Sequence, residues 1–278
     1  MLKTYLPAKI LQPYIAFFYT IKCHRSNYDQ KISEFCLPSG FGHMGFHLHG
    51  SFYIIQNNEK QEFPRFYTVG QQTHNYYMNS DSEFVEFYGI TFQPTGLWRL
   101  FRLDMPTIAN RAIGSQFLFK NKIIKFTKQF EAEQSPKKRI QLIEKLMIKK
   151  ILAIQPQTNI IECALHKMNE SCGCSSISSI VNQLGVSERY FQKNFKKMVG
   201  ITAAVYNRIV RFNFMFAEMK SEVPIDYKSL AALFKYYDFP HFSKDFKKYC
   251  GACPSKFYIH KFELLQQLMT SKASLMER

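Results

Sequence analysis

The chain has 278 residues, 46% of them hydrophobic and 21% charged, with a formal net charge of +16. That length allows two domains of ordinary size, and the apolar content, with 27 Phe and 16 Tyr, excludes a disordered or low-complexity chain. The basic excess favours a polyanionic partner, nucleic acid or an anionic surface, and the sequence has no apolar run of about 18 residues that would cross a membrane as a helix.

Residues 1–118 are expected to be β-rich. Apolar or alternating runs at Ile15–Lys22, Gly45–His49, Ser51–Gln56, Arg65–Val69 and Phe84–Phe92 are separated by turn formers: Pro38-Ser39-Gly40, Asn57-Asn58, Asn79 to Ser82, and Pro94-Thr95-Gly96. Strands at this spacing suit a small sheet or barrel better than βαβ units. Leu97 to Leu103 opens a helix after Pro94-Thr95. The opening stretch, MLKTYLPAKILQPYIAFFYTIK, has no signal-peptide pattern, and seven cysteines, an odd number, read as reduced cytoplasmic thiols.

Within GHMGFHLHG, His43, His47 and His49 share one strand parity, while Met44, Phe46 and Leu48 share the other. His-x-His is a metal-ligand spacing, with Glu59, Glu62 and His74 as remote partners. The plainer reading is preferred: Met44, Phe46 and Leu48 point inward and the histidines lie on the wet face. No metal and no cofactor are expected.

Residues 122–132 and 136–154 carry helical periodicity. In the second, Ile140, Ile143, Leu146, Met147 and Ile151 form the inner stripe; Lys137, Lys138, Arg139, Lys145, Lys149 and Lys150 form a solvated basic face. A dimerisation or interdomain helix is the alternative. The polar stretch Gln155-Pro156-Gln157-Thr158-Asn159 reads as a linker. It divides a regulatory domain, 1–155, from a helical domain, 156–278.

Three helices follow: Ile160 to Glu170, Ile177 to Leu184 capped by Ser176, and Glu188 to Val199 capped by Ser187. Gly185 supplies the positive φ of a tight turn. Tyr190, Phe191, Phe195 and Met198 are assigned to the inner side of the third helix. A long helix, Ala203 to Lys220, carries Arg208 and Arg211 on one face, either to touch phosphate or to lock the halves together. Ser229 to Lys235, with Leu230, Leu233 and Phe234 apolar, and Phe239 to Tyr249 complete a second unit. Pro254 opens a last helix, and Thr270 to Arg278 reads as a frayed tail.

The organising feature is a repeat. Phe191, Lys193, Phe195, Lys196, Lys197 and Gly200 fall, in register, on Phe242, Lys244, Phe246, Lys247, Lys248 and Gly251. Each copy reads as the second helix of a helix-turn-helix.

At these residues the chain resembles the AraC/XylS family of bacterial transcription regulators. The first module matches at Ser187, Glu188, Arg189, Phe195, Lys196 and Gly200, followed by Tyr206, Arg208 and Arg211-Phe212. The second matches at Tyr236-Tyr237-Asp238, His241-Phe242-Ser243, Phe246-Lys247, Gly251 and Pro254. Lys235 departs from the glycine usual in the family's second turn, and Phe239-Pro240 from its usual polar residues. LPAKILQPYIAFFYTI, FCLPSGFGHMGFHL, YTVGQQT and GITFQPTGLWRLF resemble one subgroup, which implies a cupin-like sensory domain.

The resemblance implies an α+β protein: a β-rich, cupin-like amino-terminal domain followed by an all-α domain with two helix-turn-helix modules. It implies base contact by Arg189, Gln192, Lys193, His241, Ser243 and Lys244, and phosphate contact by Lys196, Lys197, Arg208, Lys247 and Lys248. The expected partners are double-stranded DNA and an unidentified small-molecule effector, with RNA polymerase a further candidate, no membrane, and a monomeric or homodimeric state. No catalytic residue is expected. Competing readings are a metal-dependent cupin-type enzyme using Cys36 and the histidines, a basic RNA-binding protein, and a structural zinc at Cys250-x-x-Cys253 with Cys172-x-Cys174.

Overall fold

The computed structural model describes residues 2–56, 58–119, 122–152, 159–219 and 226–257. Ten strands come first: β1 (Leu2–Tyr5), β2 (Ile15–His24), β3 (Ile32–Cys36), β4 (Gly42–His49), β5 (Tyr53–Gln56), β6 (Glu59–Glu62), β7 (Phe66–Val69), β8 (Tyr76–Ser80), β9 (Phe84–Phe92) and β10 (Ala112–Gly114). They pair antiparallel into a six-stranded sheet, β1-β2-β9-β4-β7-β10, and a four-stranded sheet, β3-β8-β5-β6. β1, β3, β6, β8 and β10 were not predicted. β6 (EKQE) is exposed along its whole length and offers no alternation to read. β8 runs through Asn79 and Ser80, so the turn expected over Asn79 to Ser82 begins only after Ser80.

Helices α1 (Gly96–Phe101), α2 (Gln116–Phe119), α3 (Lys122–Ala132) and α4 (Pro136–Ile151) cover the outer face of the large sheet. That sheet is therefore buried on both faces. Phe18, Met44, Phe46, Tyr88 and Ile90 pack under the helices. Phe17, Tyr19, Ile21, Tyr67 and Phe87 face the small sheet. This explains why β9, FVEFYGITF, reads as nearly continuous apolar sequence. It also corrects the expected wet face of β4. His47 is only 2% exposed and His43 is half-buried; His49, beyond a register shift, is exposed. Burial holds the His47 imidazole down to about 4, so it stays neutral at physiological pH.

A second correction concerns α4. Arg139 is buried, not solvated: its Nη1 donates to Glu86 Oε1 (3.1 Å) and Tyr88 Oη (3.0 Å), and its Nε to Phe130 O (3.1 Å). Lys22 completes the cluster on Glu86 (3.1 Å). Burial works to raise the Glu86 carboxyl, but Tyr88, Lys22 and Arg139 bring it below its ordinary value. α4 is thus bolted to its own sheet. The expected linker falls almost wholly outside the described residues, as do Pro224 and the tail; the helix expected over 203–220 ends at Ala217, with Glu218 as its C-cap. Pro254 opens a short 3-10 turn, Pro254–Lys256, and the helix expected after it lies outside the described residues.

The helical domain comprises α5 (Ile160–Glu170), α6 (Ile177–Leu184), α7 (Glu188–Val199), α8 (Ala203–Ala217), α9 (Tyr227–Leu233) and α10 (Phe239–Cys250). Phe35 and Leu37 of the β-rich domain join its core.

Candidate nucleic-acid interface

The first module is built by its caps. Ser176 Oγ accepts from Ser179 N (3.1 Å) at the start of α6, and Gly185 ends that helix at φ 65°. A Cβ on Gly185 would meet nothing within 4 Å, so glycine is kept there for its backbone conformation alone. Ser187 Oγ then accepts from Tyr190 N (3.3 Å) and starts α7. Phe191, Phe195, Met198 and Val199 are buried. Arg189, Lys193, Lys196 and Lys197 are exposed and Gln192 is half-buried. Tyr190, expected inward, is instead 53% exposed. The buried stripe runs through 191, 195 and 198, and residue 190 lies about 100° off it.

In the second module Asp226 accepts from the backbone of Lys228 (3.0 Å) and Ser229 (3.3 Å), so α9 begins before the expected Ser229. Leu233, though apolar, is 65% exposed at the end of that short helix. The left-handed residue of this turn is Lys235, at φ 53°. Asp238 Oδ1 accepts from His241 N (2.7 Å) and starts α10. Phe242, Phe246, Tyr249 and Cys250 are buried. His241, Lys244, Lys247 and Lys248 are exposed, and Ser243 is half-buried.

The two capping residues, Ser187 and Asp238, fix the register between the modules. Gln192 stands where Ser243 stands, Lys193 where Lys244 stands, and Lys196 and Lys197 where Lys247 and Lys248 stand. The counterpart of His241 is Tyr190, and the counterpart of Arg189 is Pro240. Tyr190 was therefore missed as an outward residue, and the cap register was the signal that would have found it. Tyr237 (93% exposed) and Phe239 (41%) also stand outward at the start of α10.

α8 ties the modules together. Arg211 Nε donates to Gly173 O (3.0 Å), beside the first module, while its guanidinium lies 5.4 Å from the Tyr236 ring centroid of the second. Of the two roles considered for Arg211, the structure gives the lock. Arg208 is half-buried on the same helix. Cys174 Sγ, 3.6 Å from Phe234 O, adds a second tie. Burial pushes the Cys250 thiol up, which keeps it a neutral core group. Among the described residues no group of three or more His, Cys, Asp or Glu side chains converges as metal ligands would.

The β-rich domain docks directly on these modules. Gly200, at φ 100°, abuts Met105, where a Cβ would stand 2.8 Å from the carbonyl oxygen. Lys197, though exposed, holds its ammonium 5.9 Å from the Trp98 ring centroid. Glu162 on α5 accepts from Arg99 (2.5 Å) and Thr95 (3.1 Å). Asn75 Nδ2 donates to Lys248 O (3.2 Å) near the end of α10, and Asn213 Nδ2 on α8 to Ser39 O (3.3 Å).

Between the two sheets lies a cavity of about 550 Å³. Its apolar wall includes Phe17, Tyr19, Tyr67, Val69 and Met78. Gly45 and Gly89 oppose each other across β4 and β9, and a Cβ on either would stand within 2.4 Å of Tyr67 or Tyr19 respectively. The glycine pair is what lets both tyrosine rings lie flat on the sheet. Ser39, His43, Thr91, Asn110, Asn75 and Asn213 also line the cavity, the last from α8.

Residues 180–258 match the family model described as a helix-turn-helix domain, and residues 3–114 match one described as a domain of unknown function, DUF6597. With the paired caps and turns above, these matches define a DNA-binding transcriptional regulator of α+β architecture. Its carboxy-terminal domain belongs to the AraC-type helix-turn-helix family. The amino-terminal match has no feature specific to cupins; what the chain has there is an antiparallel β-rich domain.

Among solved structures, ToxT of Vibrio cholerae bound to (E)-4-(8-methylnaphthalen-1-yl)but-3-enoic acid is similar at TM-score 0.46 and 12% identity, covering 91% of this chain and 97% of that one. Unsaturated fatty acid-bound ToxT of Vibrio cholerae gives 0.45 and 11%, covering 86% and 93%. The AraC-like transcriptional activator CuxR gives 0.27 and 11%, covering 72% and 73%. Likenesses this loose assign nothing to the present chain. A comparison with curated proteins found no match. Among the described residues no helix is long and apolar enough to cross a membrane.

Proposed function

We propose that α7 and α10 enter successive major grooves of one DNA duplex, roughly 34 Å apart, and that an effector in the inter-sheet cavity adjusts their placement. The division into a regulatory domain, 1–155, and a DNA-binding domain, 156–278, belongs to this reading. Arg189, Gln192 and Lys193 of α7, and His241, Ser243 and Lys244 of α10, read base edges. Arg or Lys suits guanine O6/N7, and Gln suits adenine N6/N7. Lys196, Lys247 and Lys248 hold phosphates, with Lys197 and Arg208 as further candidates. The protein works in the cytoplasm, where its operator is.

The observation that carries this reading is the register between the modules. The two capped helices expose the same positions, and those positions hold donors of the kinds that meet DNA. RNA offers no comparable pair of readable major grooves.

Hydroxyl-radical footprinting on a selected operator tests the reading. Two protected patches one helical turn apart are expected. A single patch, or equal competition by double-stranded RNA, would overturn it.

A further inference from the structure

The cavity between the sheets has a marked chemical character. Among its described lining residues there is no Lys, Arg, Asp or Glu. The titratable groups on the wall are also neutral at physiological pH where burial acts on them: it raises Tyr19, Tyr67 and Tyr76, and pushes the Cys36 thiol up to about 12. Apart from the imidazoles of His43 and His74, the described wall holds no side chain that could supply a positive countercharge to an ionised guest.

One set of polar groups converges at a single corner of the cavity. Ser39 Oγ lies 3.0 Å from His43 Nε2, and Thr91 Oγ1 lies 3.3 Å from His43 Nδ1. Asn213, 2% exposed, reaches the same corner from α8 and donates to Ser39 O. That bond sets the orientation of the amide. Asn213 Oδ1 is then a buried acceptor with no partner among the described residues. Buried polar atoms of this kind are rare and ask for a donor.

We propose that the cavity takes an uncharged, flat, largely apolar molecule bearing one N–H or O–H donor, and that Asn213 Oδ1 accepts that donor. This rests on reading the cavity as the effector site. It makes Asn213 the sensing residue, because α8 is the helix that joins the two DNA-reading modules. The guest's aromatic body lies against Tyr19 and Tyr67, and its donor is reported to the helix from which Arg211 reaches both modules. Asn75, on the same wall, passes occupancy to the end of α10 through Lys248 O.

Titration calorimetry on the full chain with three matched probes tests the assignment: indole, N-methylindole, which lacks the donor, and an indole-carboxylate, which keeps the donor and adds a charge. Indole is expected to bind tightest. N-methylindole should bind about tenfold more weakly, and the carboxylate about 30-fold or more. Asn213→Ala should bring indole down to the level of N-methylindole. Ala112→Phe, which fills the cavity, should abolish binding of all three.

If the carboxylate binds as well as indole, or N-methylindole matches indole in the unmodified protein, the proposed ligand chemistry is wrong, while the cavity remains an effector site. If none of the probes binds, or Ala112→Phe binds them unchanged, the effector-site reading itself falls. Should Asn213→Ala fail to fold, the three-probe comparison on the unmodified protein still decides.

Discussion

The two helix-turn-helix modules share a scaffold and differ at their front edges. In the first, Gly185 makes the turn, and Arg189 and Tyr190 open the exposed side of α7. In the second, Lys235 makes the turn at φ 53°, the connection to Asp238 is longer, and Pro240 and His241 occupy the equivalent places. Phe191 and Phe195 are matched by Phe242 and Phe246, all at most 1% exposed. What repeats is therefore packing, and what differs is the surface that meets a base pair. Selection for a stable helix pair constrains the inner side equally in both copies, while two different half-sites require two different outer sides.

That comparison is broken most severely through the shared core. Phe195→Ala and Phe246→Ala should each cost about 3–5 kcal/mol of unfolding free energy, because each empties a fully packed site. Chemical denaturation checks this, and unequal losses would show that the scaffolds are not equivalent.

The next effect separates the modules. Arg189→Ala should lose about 1–3 kcal/mol of operator affinity and relax preference at one base pair, and Pro240→Ala should do neither. Binding to a panel of operator variants measures it. An Arg189→Ala protein that ranks every variant as the parent does would remove Arg189 from the reading set.

Lys247→Ala tests a role both modules are expected to share. Affinity should fall by a similar factor for every sequence, and the slope of log affinity against log salt should shrink by about 1. An unchanged slope would place the Lys247 ammonium away from phosphate.

The smallest effect concerns the turns. Gly185→Lys should cost about 1 kcal/mol of stability, whereas Lys235→Gly should gain about 0.5–1 kcal/mol by relieving a left-handed side-chain residue. Thermal melting of the two variants gives opposite signs if the turns have been paired correctly.

Much of the helical domain was legible because its signals are local. Ser176 and Ser187 each cap the helix expected of them, and α6 and α7 begin and end where periodicity and Gly185 put them. The failure there came from position around a helix: Tyr190 was drawn into the core by its chemistry, although the buried stripe passes it by. The β-rich domain was less readable. β1, β3, β6, β8 and β10 have no turn-bounded alternation of their own, and their pairing depends on partners distant in sequence.

The sequence by itself determined the repeat, the caps and the basic, outward-facing side of each second helix, because a helix is specified by neighbours three and four positions away. Only the tertiary structure decided that β4 is buried on both sides, that Arg139 pairs with Glu86 rather than water, and that Asn213 of α8 forms part of a cavity enclosed by two sheets. Those outcomes turn on which surfaces cover one another. A buried charge, a half-buried histidine and an amide oxygen with no partner among the described residues take their meaning from residues as far as 174 positions away, and no local pattern records them.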